Sequence, residues 1–196
     1  MAKTLPINFD IPAEGAIASY DWFDFATGAG YKKFYCVGGY NSTEKQYILT
    51  TEDMRSDAEN QSSGDLGAGT TNYSFDVTWG RPITIAGADA FMYFTQYTTV
   101  ASTSYMTCTV YHVTVGGTET SIGSGISDTG GAVAPGHKKL FKFTLTKKSF
   151  GIGEKLRVKL SFTSNGSSNG FYYNGFIDSG GANVELSIRV PFIVQP

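Results

Sequence analysis

The sequence predicts an all-β chain: an antiparallel β-sandwich, jelly-roll-like, preceded by an extended N-terminal arm. Three observations predict it. Phe141, Phe143 and Leu145 alternate with Lys142, Thr144 and Thr146, and Leu156, Val158, Leu160 and Phe162 alternate with Arg157, Lys159 and Ser161. A period of two puts the seven apolar side chains on one face of a pleated sheet and the polar ones on the other. The intervening stretch from Lys147 to Glu154 contains Gly151 and Gly153, which supply the φ freedom of a tight reversal, so the two segments read as a pair of half-buried antiparallel strands. Finally, 24 Gly, 14 Phe and 12 Tyr in 196 residues favour many short strands joined by turns rather than long helices.

In chain order, residues 1–19 read as an arm, because Pro6 and Pro12 forbid a helix between them. Ile7, Phe9 and Ile11 alternate within it, so the arm suits addition to a sheet edge. Residues 20–196 read as one sandwich domain. Tyr20 to Phe25 is followed by a turn at Thr27-Gly28-Ala29-Gly30, a strand from Tyr31 to Val37 and a short strand at Tyr47 to Leu49. Thr50 and Asp53 are spaced to cap one helical turn, and the polar, Gly-rich run onward to Gly69 reads as a long loop. Tyr73, Phe75, Val77 and Trp79 alternate with Ser74, Asp76 and Thr78, giving a strand stopped by Gly80 and Pro82. Ile83 to Ile85 is brief. Ala90 to Val100 is apolar on both faces at its start, as a central strand would be.

Gly116-Gly117 suits a two-residue hairpin turn between strands at Ser104–Val115 and Thr118–Ile122. Ser121 to His137, with five glycines and Pro135, reads as a loop. After the opening pair, the chain closes with Phe171 to Ile177 and a last strand in which Val184, Leu186, Ile188 and Val190 alternate with Glu185, Ser187 and Arg189. Strands at this spacing make one sandwich. Phe75, Val77, Phe143, Leu145, Val158, Leu160, Leu186 and Ile188 are its expected core.

Charged residues are only 16% of the chain, against roughly 25% for soluble domains. A subunit covered by neighbours needs less surface charge than a free monomer. Net charge is −2, unevenly spread: residues 1–100 balance to −6 and residues 101–196 to +4. Eight of the 15 basic residues lie between Lys138 and Lys159, among them Lys142, Lys147, Lys148, Arg157 and Lys159. They are expected to form a basic patch, facing solvent or an acidic partner surface. No run of 18 apolar residues suggests a membrane span, and the first ten residues lack the h-region of an export signal. Cys36 and Cys108 fall in apolar strands and read as two buried thiols.

No chemistry is written in the sequence. His112 and His137 with two distant cysteines give no ligand spacing for a metal, and there is no nucleophile elbow, P-loop or calcium-loop pattern. Asp21 and Asp24, three apart on a strand, would point to opposite faces and could not share a substrate. No catalysis, cofactor or metal is therefore expected. Tyr93, Tyr97, Tyr105, Tyr111, Tyr172 and Tyr173 remain as a possible sugar-stacking platform, or as half-buried sheet residues with their hydroxyls in water.

The glycine turn entering an alternating strand at Phe150-Gly-Ile-Gly-Glu-Lys-Leu-Arg-Val-Lys-Leu, with the run Tyr20-Asp-Trp-Phe-Asp-Phe-Ala-Thr-Gly-Ala-Gly-Tyr, resembles the small β-sandwich structural proteins of tailed-bacteriophage virions, such as head decoration (cement) proteins. The resemblance is one of style over most of the chain. It implies synthesis in a host cytoplasm, a homo-oligomer, most often a trimer, and docking on the major capsid protein or another virion protein. Neither a membrane nor nucleic acid is an expected partner. Ile7, Phe9 and Ile11 in the arm, Phe192, Ile193 and Val194 in the apolar tail, and the five basic residues named above are the interface candidates. The alternative function is a carbohydrate-binding module of a phage tail or receptor-binding apparatus.

Overall fold

The computed structural model describes residues 29–38, 47–51, 63, 66–98, 103–129, 137–166, 169–172 and 185–193. The arm with Ile7, Phe9 and Ile11, the strand expected at Tyr20 to Phe25, the helical turn after Thr50, Tyr173 and Val194 lie outside them.

Among the described residues the secondary structure is all strand: β1 (Ala29–Gly38), β2 (Tyr47–Thr50), β3 (Gly69–Thr78), β4 (Ile83–Ile85), β5 (Asp89–Thr98), β6 (Ser104–Val113), β7 (Glu119–Ile126), β8 (His137–Thr144), β9 (Lys148–Phe150), β10 (Lys155–Ser164), β11 (Asn169–Tyr172) and β12 (Leu186–Ile193). Hydrogen bonding runs in the order β11-β5-β12-β1-β2-β3-β10-β6-β7, with β8 on β5 and β4 bridging β12 to β9. Pairing is antiparallel apart from one parallel bridge, Ile48 with Asp76, where β2 meets β3. β7 lies against β8, joined just past its end by Thr146 N donating to Ile122 O at 2.7 Å. The strands thus wrap into two layers, β8-β5-β12-β1 facing β3-β10-β6-β7, an antiparallel jelly-roll-like sandwich.

The core follows the alternation. β10 runs between β3 and β6, and Leu156, Val158, Leu160 and Phe162 along it are fully buried. Phe75, Phe143, Leu145, Leu186 and Ile188 join them as expected, while Val77 packs against the core from a half-buried position. Phe34, Met92, Phe94, Met106 and Phe171 complete the interior. Cys36 and Cys108 are buried, free thiols within it, and desolvation pushes both well above the usual thiol range.

Four local expectations are corrected. The alternating segments at 140–146 and 156–162 do not pair with each other: β8 pairs with β5, and β10 with β3 and β6, because the turn between them feeds the short β9 and carries the chain across to the other layer. The turn ascribed to Thr27–Gly30 is already strand at Ala29 and Gly30, held by pairing with Ile193 and Phe192 of β12. The β6–β7 hairpin closes through a three-residue loop, Val115–Gly117: Thr114 N donates to Thr118 O, Gly117 N donates to Thr114 O, and Gly117 takes φ 85°. The glycine-rich run after Ser121 belongs to β7 as far as Ile126. Its glycines are there because β7 presses on β8; a Cβ at Gly125 would sit 2.6 Å from a ring carbon of Phe143.

Candidate functional site

Period-two geometry sends Phe34, Cys36, Met92, Phe94, Ile188 and Val190 inward, so their strand neighbours look outward. Cross-strand register then assembles those outward residues into two rows. One runs Thr50, Tyr35, Ser187, Tyr93, Leu140 across β2, β1, β12, β5 and β8. The other runs Lys33, Arg189, Phe91, Lys142. Tyr31 packs its ring 5.8 Å from Phe91 at the margin. Tyr31, Tyr35, Phe91 and Tyr93 are half-buried on this face, and Leu140 and Ile48 are exposed beside them. Rings standing next to one another across strands stabilise a sheet. Here the rings also stay partly exposed, while Ser187 between Tyr35 and Tyr93 is fully buried.

The cations of the face are held in place. Arg189 lies over the Tyr93 ring at 5.4 Å and Lys33 Nζ over Tyr35 at 4.5 Å. Lys33 also bonds Glu185 Oε1 at 2.6 Å. Partial burial alone would lower the Lys33 amine, but its hydrogen bond and attraction to Glu185, with help from Tyr35, raise it above the usual value. Burial pulls Glu185 upward, and the bonds from Lys33 and Ser187 outweigh that and hold it below the usual carboxylate range. Lys142 reaches Asp89 Oδ2 at 3.1 Å, and Thr144 donates to Asp89 Oδ1 at 2.8 Å.

The basic segment does not gather. Lys142 lies on this face, Lys147 and Lys148 at the start of β9, and Lys155, Arg157 and Lys159 on the outer face of the opposite layer. There, Arg157 binds Asp76 through both Nε (2.7 Å) and Nη2 (2.6 Å) and reaches Glu119 as well. The Arg157 charge is thus answered locally, and Lys155 Nζ lies 3.9 Å from the same Asp76. Of the tail, Phe192 packs its ring against Phe34 (6.0 Å) and Trp79 (5.8 Å), and Ile193 pairs with Ala29. The tyrosines separate too: Tyr93 is on the aromatic face, Tyr105 and Tyr111 are on β6 in the other layer, and at the β5–β11 end Tyr97 pairs with Gly170 and Tyr172 with Thr95.

Sequence reasoning missed Tyr31, Tyr35, Phe91 and Arg189. For Tyr31, Tyr35, Phe91 and Tyr93 the available signal was aromatic residues at alternate positions of β1 and β5, opposite in phase to Phe34, Met92 and Phe94. It missed His112 as well. In the strand between Tyr111 and Val113 it is buried, its ring 4.9 Å from Phe150, with Nε2 2.8 Å from Glu154 Oε2. Gly151 N donates to that same oxygen at 2.6 Å. This carboxylate pins the β9–β10 turn to β6.

A pH dependence follows. The Gly151 N–H, then His112, hold the Glu154 carboxyl below its usual range. A depressed carboxylate contributes stability that is present above its unfolded pKa and is lost as pH falls through the folded one. The urea midpoint should drop as pH is lowered from about 5 to about 3, and Glu154→Gln should flatten that drop. An unchanged pH profile in Glu154→Gln would refute the assignment to this group.

No group of three metal-ligating side chains occurs among the described residues. No family model matches the chain, and no curated protein matches it. Solved structures do share its fold. An aminopeptidase from a marine-sediment Thaumarchaeota archaeon superposes at TM-score 0.58 and 10% identity, over 85% of this chain and 37% of that one. A CocE/NonD family hydrolase from Staphylococcus aureus superposes at 0.52 and 10% identity, over 84% and 37%. This chain therefore spans little more than a third of the length of these two proteins, and what it shares with them is the fold.

Proposed function

We propose that the chain is a non-enzymatic structural subunit of a virion, a capsid decoration or cement protein that binds an assembled lattice as a homo-oligomer, a trimer. The observation that supports this best is the outer face of β8-β5-β12-β1-β2. Tyr31, Tyr35, Phe91, Tyr93, Arg189, Leu140 and Ile48 share it, and Tyr, Phe and Arg are the residues enriched at interface cores. Rings and a guanidinium already ordered by their neighbours lose little entropy on docking. The low overall charge points the same way. The names of the structural neighbours supply no reaction to this reading, which has no catalytic step.

The carbohydrate-binding alternative is favoured by one feature of the same face: its rings lie side by side on a continuous sheet, where they could stack on the apolar faces of sugars. One experiment separates the two. Purified protein should bind particles lacking it, and Tyr93→Ala with Arg189→Ala should weaken that binding at least about thirtyfold, as loss of central anchors does. Light scattering should report the oligomer, with and without residues 1–19. A saturable glycan-array signal abolished by Tyr93→Ala would transfer the face to the second reading. A monodisperse monomer that binds no particles would remove the first.

A further inference from the structure

At the end of the sandwich where β4 meets β12, Lys32 and Trp79 both stand against the Phe34 ring, and Arg81, two residues after Trp79, adds its positive charge to that of Lys32. Lys32 precedes Phe34 by two residues in β1 and so shares its inward face; Lys32 Nζ is 5.8 Å from the Phe34 ring centroid. Trp79 packs edge-on against that same ring at 6.1 Å and against Phe192 at 5.8 Å. Its Nε1 is buried and makes no hydrogen bond. From Trp79 the chain passes through exposed Arg81 into β4, whose Ile85 pairs with Phe192, two residues from Val190, the cross-strand partner of Lys32.

The other cations bonded on the sheet faces have carboxylates: Lys33 has Glu185, Lys142 has Asp89, and Lys155 and Arg157 share Asp76. Neither Lys32 nor Arg81 pairs with an acidic side chain among the described residues. Burial lowers the Lys32 amine, and the positive charge of Arg81 lowers it further. Two neighbouring cations repel, and a buried N–H with no acceptor is a costly exception in a folded protein. One acceptor-only, negatively charged group would relieve both at once.

We propose that Lys32, Arg81 and the Trp79 indole N–H form a binding site for a single oxyanion group, a carboxylate or a phosphate, carried on a ligand whose apolar part meets the half-buried Phe192. Arg81 at the mouth supplies the two-pronged donor that fits either group. Lys32 supplies charge at the floor, and the indole N–H fixes orientation. The rings exclude water and so strengthen each contact. The site is distinct from the aromatic face and does not depend on the docking function.

The test uses the full chain labelled with ¹⁵N, titrated with sodium acetate and separately with inorganic phosphate, with chloride keeping ionic strength constant. The chain has two tryptophans, so Trp22→Phe assigns the Trp79 indole signal. That N–H should shift saturably with at least one anion. Arg81→Gln should weaken binding about tenfold or more, the loss expected for a charge-assisted bond. Lys32→Met should abolish it, and Arg189→Gln on the aromatic face should leave it unchanged. Saturation by acetate alone assigns a carboxylate, and by phosphate alone a phosphoryl group; either supports the site. Should Lys32→Met fail to fold, exposed Arg81 decides. No saturable shift with either anion, or the same shift in Arg81→Gln, overturns the proposal.

Discussion

Leu160→Ala should lower the unfolding free energy by about 2–5 kcal/mol, measured by urea denaturation with the strand spectrum retained. Leu160 sits mid-way along β10, opposite Tyr73 of β3 on one side and Cys108 of β6 on the other, and it is fully buried. Both flanking strands are hydrogen-bonded along the length of β10, so the backbone cannot close over the cavity. The missing methyl groups then remain as empty volume, and the cost stands at the upper part of the range. Lys159→Ala, one residue away and facing outward, should change stability by no more than about 0.5 kcal/mol. A loss under about 1 kcal/mol at Leu160 would mean that β10 is not the middle of a packed layer.

That strand was readable from the chain alone because its neighbours cover it on one face only. Leu156 to Phe162 alternate without interruption, and the pattern needs no knowledge of which strands flank it. The partners are another matter. β10 meets β6 and β3, whose residues lie far away in sequence, and nothing local distinguishes them from β8 as candidates. The aromatic face was hidden for the same reason. Tyr35, Tyr93 and Leu140 come from three separate strands, and only the register that places Ser187 between Tyr35 and Tyr93 makes them a surface. In β5 both faces are apolar, which read as a strand buried on both sides. Met92 and Phe94 do enter the core, but Phe91 and Tyr93 stand on the outer face. Period two gives the sides; it does not say which side is covered. His112 escaped because its partner, Glu154, is 42 residues away across a turn.

The strand that was misread, β7, yields the second large effect. Glycine in a strand is ordinarily a weakness, about 0.5–1 kcal/mol worse than alanine, so Gly125→Ala should stabilise if there were room. There is none. An added Cβ would lie 2.6, 2.7 and 2.8 Å from Cδ1, Cβ and Cγ of Phe143, inside any real contact distance. Gly125→Ala should therefore destabilise by about 1–3 kcal/mol, the cost of overpacking, and Gly125→Val by more. The obstacle is a side chain, which makes the argument testable by a cycle. In a Phe143→Ala background the clashes with Cδ1 and Cγ are gone while the 2.7 Å approach to Cβ stays, so the Gly125→Ala cost should fall without vanishing, a coupling of about 0.5–3 kcal/mol. Gly123 supplies the contrast. Its Cβ would meet the backbone oxygen of Thr144 at 2.7 Å as well as Leu145 Cδ2 at 2.6 Å. Truncating Leu145 should leave most of the Gly123→Ala penalty in place. Additive behaviour of Gly125→Ala and Phe143→Ala would mean that β7 does not rest on β8, and the two layers would have to close elsewhere.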